Sequence, residues 1–275
     1  MPFFNSSANS IEPVNIYYED SGQGKPVVFI HGWPLSGAMW EYQITQLPQQ
    51  GMRCITYDRR GFGKSDKPFT GYDYNTLAGD LKALLDELNL NNITLVGFSM
   101  GGGEIAKYFS LYGGARVDKV VLISAVVPYM LNTSDNPEGV PQEEFDKMTK
   151  GMIDDRPGFM ESFNKDFFGV SLIHHPVSSA FLANSLTKVM EASPIATLEC
   201  AKSFSSTDFR QDVIKINVPT LIIHGDSDKT VPIKTTGDES AKLIPGARYI
   251  VYEGSPHGLW YTDKEKLNQD LIDFI

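Results

Sequence analysis

The sequence predicts an α/β fold in which helices flank a mostly parallel sheet. Two observations predict it. Six short apolar runs bounded by turn residues recur along the chain, and helical patterns fill the intervals between them. The runs are apolar throughout instead of alternating, the pattern of strands covered on both faces.

The first run is PVVFIHG at 26–32, followed by a proline-containing turn, WPLSG. RCITYD at 53–58 is the second. Residues 75–90, NTLAGDLKALLDELNL, carry Leu77, Leu81, Leu84, Leu85 and Leu88 on one helical face. The third run, ITLVGF at 93–98, passes directly into a helical stretch, MGGGEIAKYFSLYG. KVVLISAV at 119–126 is the fourth. At Pro128 the alternation stops, and it resumes only near Val218. The intervening segment is rich in Met and Phe and holds helical stretches such as QEEFDKMTKGMIDD and PVSSAFLANSLTKVMEA. Residues 128–212 are therefore expected to form an inserted helical lid on a core of residues 1–127 and 213–275. The plainer alternative is more packing helices, since Met and Phe at helical spacing commonly serve a core. TLIIHG at 220–225 and ARYIVYEG at 247–254 complete the strands.

With 275 residues, 41% of them hydrophobic and 21% charged, the chain can bury a large core. It shows no internal repeat and no apolar run near the roughly 20 residues that cross a bilayer. A net charge of -10 argues against nucleic acid and acidic membranes as partners, because both are bound by clustered Lys and Arg. The start, MPFFNSSANSIEP, has neither the charged nor the apolar region of a signal peptide, so a cytoplasmic protein is expected. In that compartment Cys54 and Cys200 are expected as separate reduced thiols.

Gly97-Phe98-Ser99-Met100-Gly101 is a G-x-S-x-G motif placed between a strand and a helix, the setting of a nucleophile elbow. Such a turn holds the serine strained and exposed, and glycine at the flanking positions lets strand and helix pass closely. The stretch from Gly101 to Ala106 also fits the glycine pattern of a dinucleotide-binding loop, but its glycines would lie inside the helix and the next strand ends without an acid for the ribose.

A serine hydroxyl needs a base and a group to orient that base. His257, in the SPHG loop after the last strand, is the expected base. Asp228 is the expected acid, with Asp226 as the alternative; both follow the strand TLIIHG, giving the chain order Ser, Asp, His. Two backbone N–H groups should face the oxyanion: Met100, next to the serine, and Trp33, in the loop HGWPLSG. Pro34 restricts Trp33 to extended conformations. Trp33 as plain core filler is the competing reading. His31 and His224 each end a strand as a His-Gly pair, which suggests hydrogen-bonding duties, and no histidine pair has metal-binding spacing.

With HGWP, YDRRGFGKSD, GFSMGGGEIAKY, VPTLIIHGDSD and SPHG in place, the chain resembles the bacterial arylesterases and cofactor-free haloperoxidases, or perhydrolases, of the α/β-hydrolase superfamily. The resemblance runs from about Ile16 to the C-terminus and is looser in the lid. It implies the α/β-hydrolase fold, with a mostly parallel eight-stranded sheet. It further implies hydrolysis of small acyl or aryl esters through Ser99, His257 and Asp228, with Trp33 and Met100 as oxyanion donors and Trp33 and Pro34 at the substrate. No metal or organic cofactor is implied, peroxide in place of water would give peracids, and a homo-oligomer is allowed. Lactonase, amidase and carbon–carbon hydrolase activities use the same triad and stay open, as does a non-catalytic ligand receptor on this fold.

Overall fold

The computed structural model describes residues 2–8 and 13–275; Met1 and residues 9–12, part of the stretch read above for a leader, lie outside the described residues. The chain runs β1 (Phe3–Ser6), β2 (Val14–Gly22), β3 (Lys25–Ile30), α1 (Glu41–Ile44), β4 (Met52–Tyr57), α2 (Tyr74–Glu87), β5 (Ile93–Phe98), α3 (Met100–Tyr112) and β6 (Val117–Ile123). It continues through α4 (Gln142–Phe167), α5 (Ser179–Met190), α6 (Pro194–Ser206), α7 (Arg210–Val213), β7 (Thr220–Gly225), α8 (Gly237–Leu243), β8 (Arg248–Tyr252), α9 (Leu259–Thr262) and α10 (Lys264–Phe274).

The eight strands form one sheet in the order β1-β2-β4-β3-β5-β6-β7-β8. β1 and β2 pair antiparallel, as do β2 and β4, and every other neighbouring pair is parallel. Every residue of β5 and of β7 is buried, which requires cover on both faces and accounts for their unbroken apolar runs. On α2, Leu77, Leu81, Leu84 and Leu85 are all buried, and the Asp73 side chain caps the helix by accepting from the Asn75 and Thr76 N–H groups.

The segment between β6 and β7 is helical, as the sequence suggested, with its own breaks. The helix begun by QEEFDKMTKGMIDD does not stop at Asp155: there the backbone leaves helical geometry (φ -154, ψ 83), and a second helical stretch runs on to Phe167. Asp155 Oδ1 accepts the Gly158 N–H, so one residue ends the first stretch and caps the second. Among the described residues no helix is long and apolar enough to cross a membrane. Cys54 and Cys200 are both free and buried, and burial pushes each thiol up to about 12.

Candidate active site

The chain leaving β3 turns to β4 on one side, whereas the chain leaving β5 passes through α3 to β6 on the other. Connections that diverge from adjacent parallel strands open a crevice at the carboxyl ends, where such sheets bind ligands. His31, Gly32 and Trp33 follow β3 on one side of that crevice, and Ser99 and Met100 follow β5 on the other.

Ser99 has φ 53 and ψ -117, a conformation that residues with a side chain rarely adopt. Its neighbours fix it there. The Ser99 N–H donates to the Ile123 carbonyl at 2.9 Å, and its own carbonyl accepts from the Gly102 and Val126 N–H groups at 3.0 and 3.1 Å. A methyl group on Gly97 would come within 2.8 Å of the Gly101 carbonyl oxygen, and one on Gly101 within 2.6 Å of the Ile30 carbonyl oxygen. The two glycines therefore allow the close passage of β5 and α3 that the motif implies. Gly102 and Gly103 serve packing: added side chains would meet Ala125 Cβ at 2.4 Å and the Tyr74 ring at 2.5 Å.

His257 Nε2 lies 3.0 Å from Ser99 Oγ, and its Nδ1 lies 2.6 Å from Asp228 Oδ2. An ionised carboxylate only accepts, so the proton between ring and acid sits on Nδ1 and leaves the Nε2 lone pair facing the serine hydroxyl. Asp228 Oδ1 accepts from the Thr230 and Val231 N–H groups at 2.9 and 2.8 Å. Burial alone would raise the Asp228 carboxyl, but the His257 charge, the hydrogen bond from His257 and the nearby His224 ring outweigh it and hold the group well below the usual carboxylate range. It is ionised at any pH where an imidazole works as a base. Asp226, the alternative acid, is exposed and accepts the Gly254 N–H at 2.7 Å, tying the β7 loop to the turn after β8.

Among the described residues neither the Trp33 nor the Met100 N–H has a hydrogen-bond acceptor, although both residues are buried. Backbone donors left unpaired in a protein interior are rare. Met100 also opens α3, so the positive end of that helix adds to the field there.

Ser99 is part of the wall of a cavity of about 470 Å³. Trp33, Phe145, Phe159, Phe163 and Phe204 line it with Met130 and Met148, and Glu144, Lys147, Asp166 and Lys229 bring charge to the wall. Trp33 is thus both core and cavity wall: its indole N–H donates to the Thr197 carbonyl at 2.9 Å, and its ring meets Phe163 and Phe204 edge-on. Pro34 does not line this cavity; it bounds a smaller space with Leu35, Met160 and Phe163. The Trp33–Pro34 peptide is cis.

His31 is buried, with Nε2 accepting the Arg59 N–H at 2.9 Å and Nδ1 2.9 Å from the Gly32 carbonyl. Burial first, then the Arg59 charge, pushes it well below the ordinary histidine range. His224 lies against Asp228, which its place in the sequence did not reveal. His174 and His175 are exposed in the segment between α4 and α5. Among the described residues no three His, Cys, Asp or Glu side chains cluster so as to hold a metal ion.

The family model of the alpha/beta hydrolase fold matches residues 25–263. A non-heme chloroperoxidase of Kitasatospora aureofaciens is 43% identical over 268 residues, covering 95% of this chain and 96% of its own. A bifunctional esterase/perhydrolase of Acinetobacter calcoaceticus is 38% identical, covering 95% and 96%. Among solved structures, a bromoperoxidase from Bacillus anthracis superposes with a TM-score of 0.95 at 48% identity, covering 99% of both chains.

Proposed function

The chain belongs to the α/β-hydrolase fold family, and from that premise we propose that it is a serine esterase acting on small acyl or aryl esters through a Ser99-His257-Asp228 triad, with perhydrolysis as a second outcome. The observation that carries the reading is the unbroken chain Ser99 Oγ, His257 Nε2, His257 Nδ1, Asp228 Oδ2, with steps of 3.0 and 2.6 Å, opening on an apolar cavity.

In this mechanism Ser99 Oγ attacks the ester carbonyl while His257 Nε2 takes its proton. Negative charge collects on the carbonyl oxygen, and the unpaired N–H groups of Trp33 and Met100 receive it. His257 then returns the proton to the departing alcohol, leaving an acyl group on Ser99. Water, deprotonated by the same imidazole, releases the acid. Hydrogen peroxide in its place releases a peracid, the chemistry named for the Acinetobacter relative. Asp228 fixes the ring and stabilises the imidazolium. Residues 128–212 act as the lid, since Phe145, Phe159, Phe163 and Phe204 of that segment wall the cavity. The aromatic side chains on the wall favour apolar acyl and aryl groups, while Glu144, Lys147, Asp166 and Lys229 keep part of it polar.

The test is p-nitrophenyl acetate hydrolysis in the presence of a chelator. Ser99→Ala should lose on the order of a millionfold in kcat, because the triad acts as a unit. Turnover by Ser99→Ala equal to the parent's would overturn the assignment.

A further inference from the structure

The motif YDRRGFGKSD is not used by the mechanism above, yet its first arginine is among the most deeply buried side chains of the protein. Arg59 and Glu104 face each other with side chains 1% and 0% exposed. Arg59 Nε donates to Glu104 Oε1 at 2.6 Å, and one terminal guanidinium nitrogen donates both to that oxygen and, at 2.6 Å, to the His31 carbonyl. The Arg59 backbone N–H donates to His31 Nε2, and Tyr57 Oη donates to Glu104 Oε2 at 2.6 Å. Groups from beyond the carboxyl ends of β3, β4 and β5 thus meet at one ion pair.

What they join is specific. His31 stands two residues before Trp33, and its ring contacts the Gly32 carbonyl. Glu104 stands four residues after Met100, one helical turn along the same face of α3. Tyr74, whose ring packs against Gly103, donates its hydroxyl to the Met100 carbonyl at 3.3 Å.

We propose that the Arg59–Glu104 pair is a positioning device: it fixes the loop that presents the Trp33 amide against the helix that presents the Met100 amide, and so sets the spacing of the oxyanion donors. The proposal rests on the esterase reading given above. Stability is a poor explanation for the pair, because an apolar pair of equal volume commonly does as well as buried charges. A planar guanidinium adds something apolar contact lacks, a fixed angle between two partners on separate segments. Oxyanion donors need that control, since they act at 2.7–3.1 Å and a misplacement of about 1 Å costs on the order of a hundredfold.

The experiment compares the parent with Arg59→Lys, which keeps the charge and loses the fork, and with the uncharged double variant Arg59→Met/Glu104→Gln. Steady-state p-nitrophenyl acetate kinetics, the rate of Ser99 phosphorylation by paraoxon, and Tm are measured on each. The expected result is a kcat lower by about tenfold to a hundredfold with KM within about twofold, and a paraoxon rate slowed by a similar factor. A variant with lowered Tm but unchanged kcat and paraoxon rate would mean that the pair serves the fold alone, and would overturn the proposal. Should neither variant fold, Tyr57→Phe removes a single hydrogen bond from Glu104; a severalfold drop in kcat at constant KM is expected, and an unchanged kcat overturns the proposal. If the parent itself neither turns over the ester nor reacts with paraoxon, the esterase reading falls and this proposal with it.

Discussion

Asp228 and His224 share a contact outside the Ser99–His257 line: Asp228 Oδ2 lies 3.4 Å from His224 Nε2, while that nitrogen lies 2.9 Å from the Val231 carbonyl. The shorter distance makes Nε2–H the donor to Val231, so His224 pins the loop in which Asp228 sits and only leans on the carboxylate. Asp228→Asn is expected to lower kcat on the order of ten-thousandfold, by upsetting the His257 tautomer. His224→Gln retains a donor for Val231 and should cost about tenfold or less. Steady-state kinetics decide it: losses of equal size would place His224 within the proton path.

His31 gives a stability prediction whose sign follows from its burial. It is neutral in the fold, its pKa pushed well below the ordinary value. The unfolded chain titrates it near 6.5, so below that pH the unfolded state binds a proton that the folded state refuses. Stability from this residue is complete above about pH 6.5 and falls by about 1.4 kcal/mol for each pH unit below it, until the folded ring protonates. Urea unfolding at pH 7 and pH 5 should show a loss about 2 kcal/mol larger in the parent than in His31→Gln. Equal losses would mean that His31 is charged in the fold.

Phe163 separates the Ser99 cavity from the smaller space beside Pro34, Leu35 and Met160. Phe163→Ala should join the two and favour longer acyl chains. The ratio of kcat/KM for p-nitrophenyl hexanoate over acetate is expected to rise about tenfold. A constant ratio would show that the acyl chain runs along another wall.

Pro34 stands behind Trp33 and off the cavity wall, so any effect on chemistry passes through the Trp33 backbone. If the Trp33 carbonyl accepts a hydrogen bond from incoming peroxide, Pro34→Leu lowers the ratio of perhydrolysis to hydrolysis. Peracid and acid yields from one ester at fixed peroxide measure it, and an unchanged ratio removes the Trp33 carbonyl from that step.

The inner strands were legible because burial on both faces writes a continuous apolar run, as in ITLVGF and TLIIHG. β2 was not: VNIYYEDSG lies toward the sheet edge, and its second half is partly or fully exposed and polar. The second stretch of α4 and all of α6 were also unread, since Pro157 and Pro194 look like breakers where each opens a helix. Ser99, Asp228 and His257 were expected together because each follows a strand, and a loop after a parallel strand has a known place; Pro34, expected at the substrate, lies off the cavity wall. The contacts of Arg59 with Glu104 and of His224 with Asp228 left no such mark, being side-chain pairings that no local pattern encodes.

The seat of Ser99 is assembled from β3, β5, β6 and α3, while most of the wall above it is drawn from one uninterrupted stretch between β6 and β7. Chemistry and appetite are thus written in separate passages of the gene. A recombination exchanging only residues 128–212 would hand the enzyme a new menu so long as the incoming stretch kept a carbonyl for the Trp33 indole where Thr197 stands, and point changes on the cavity wall would retune diet gradually.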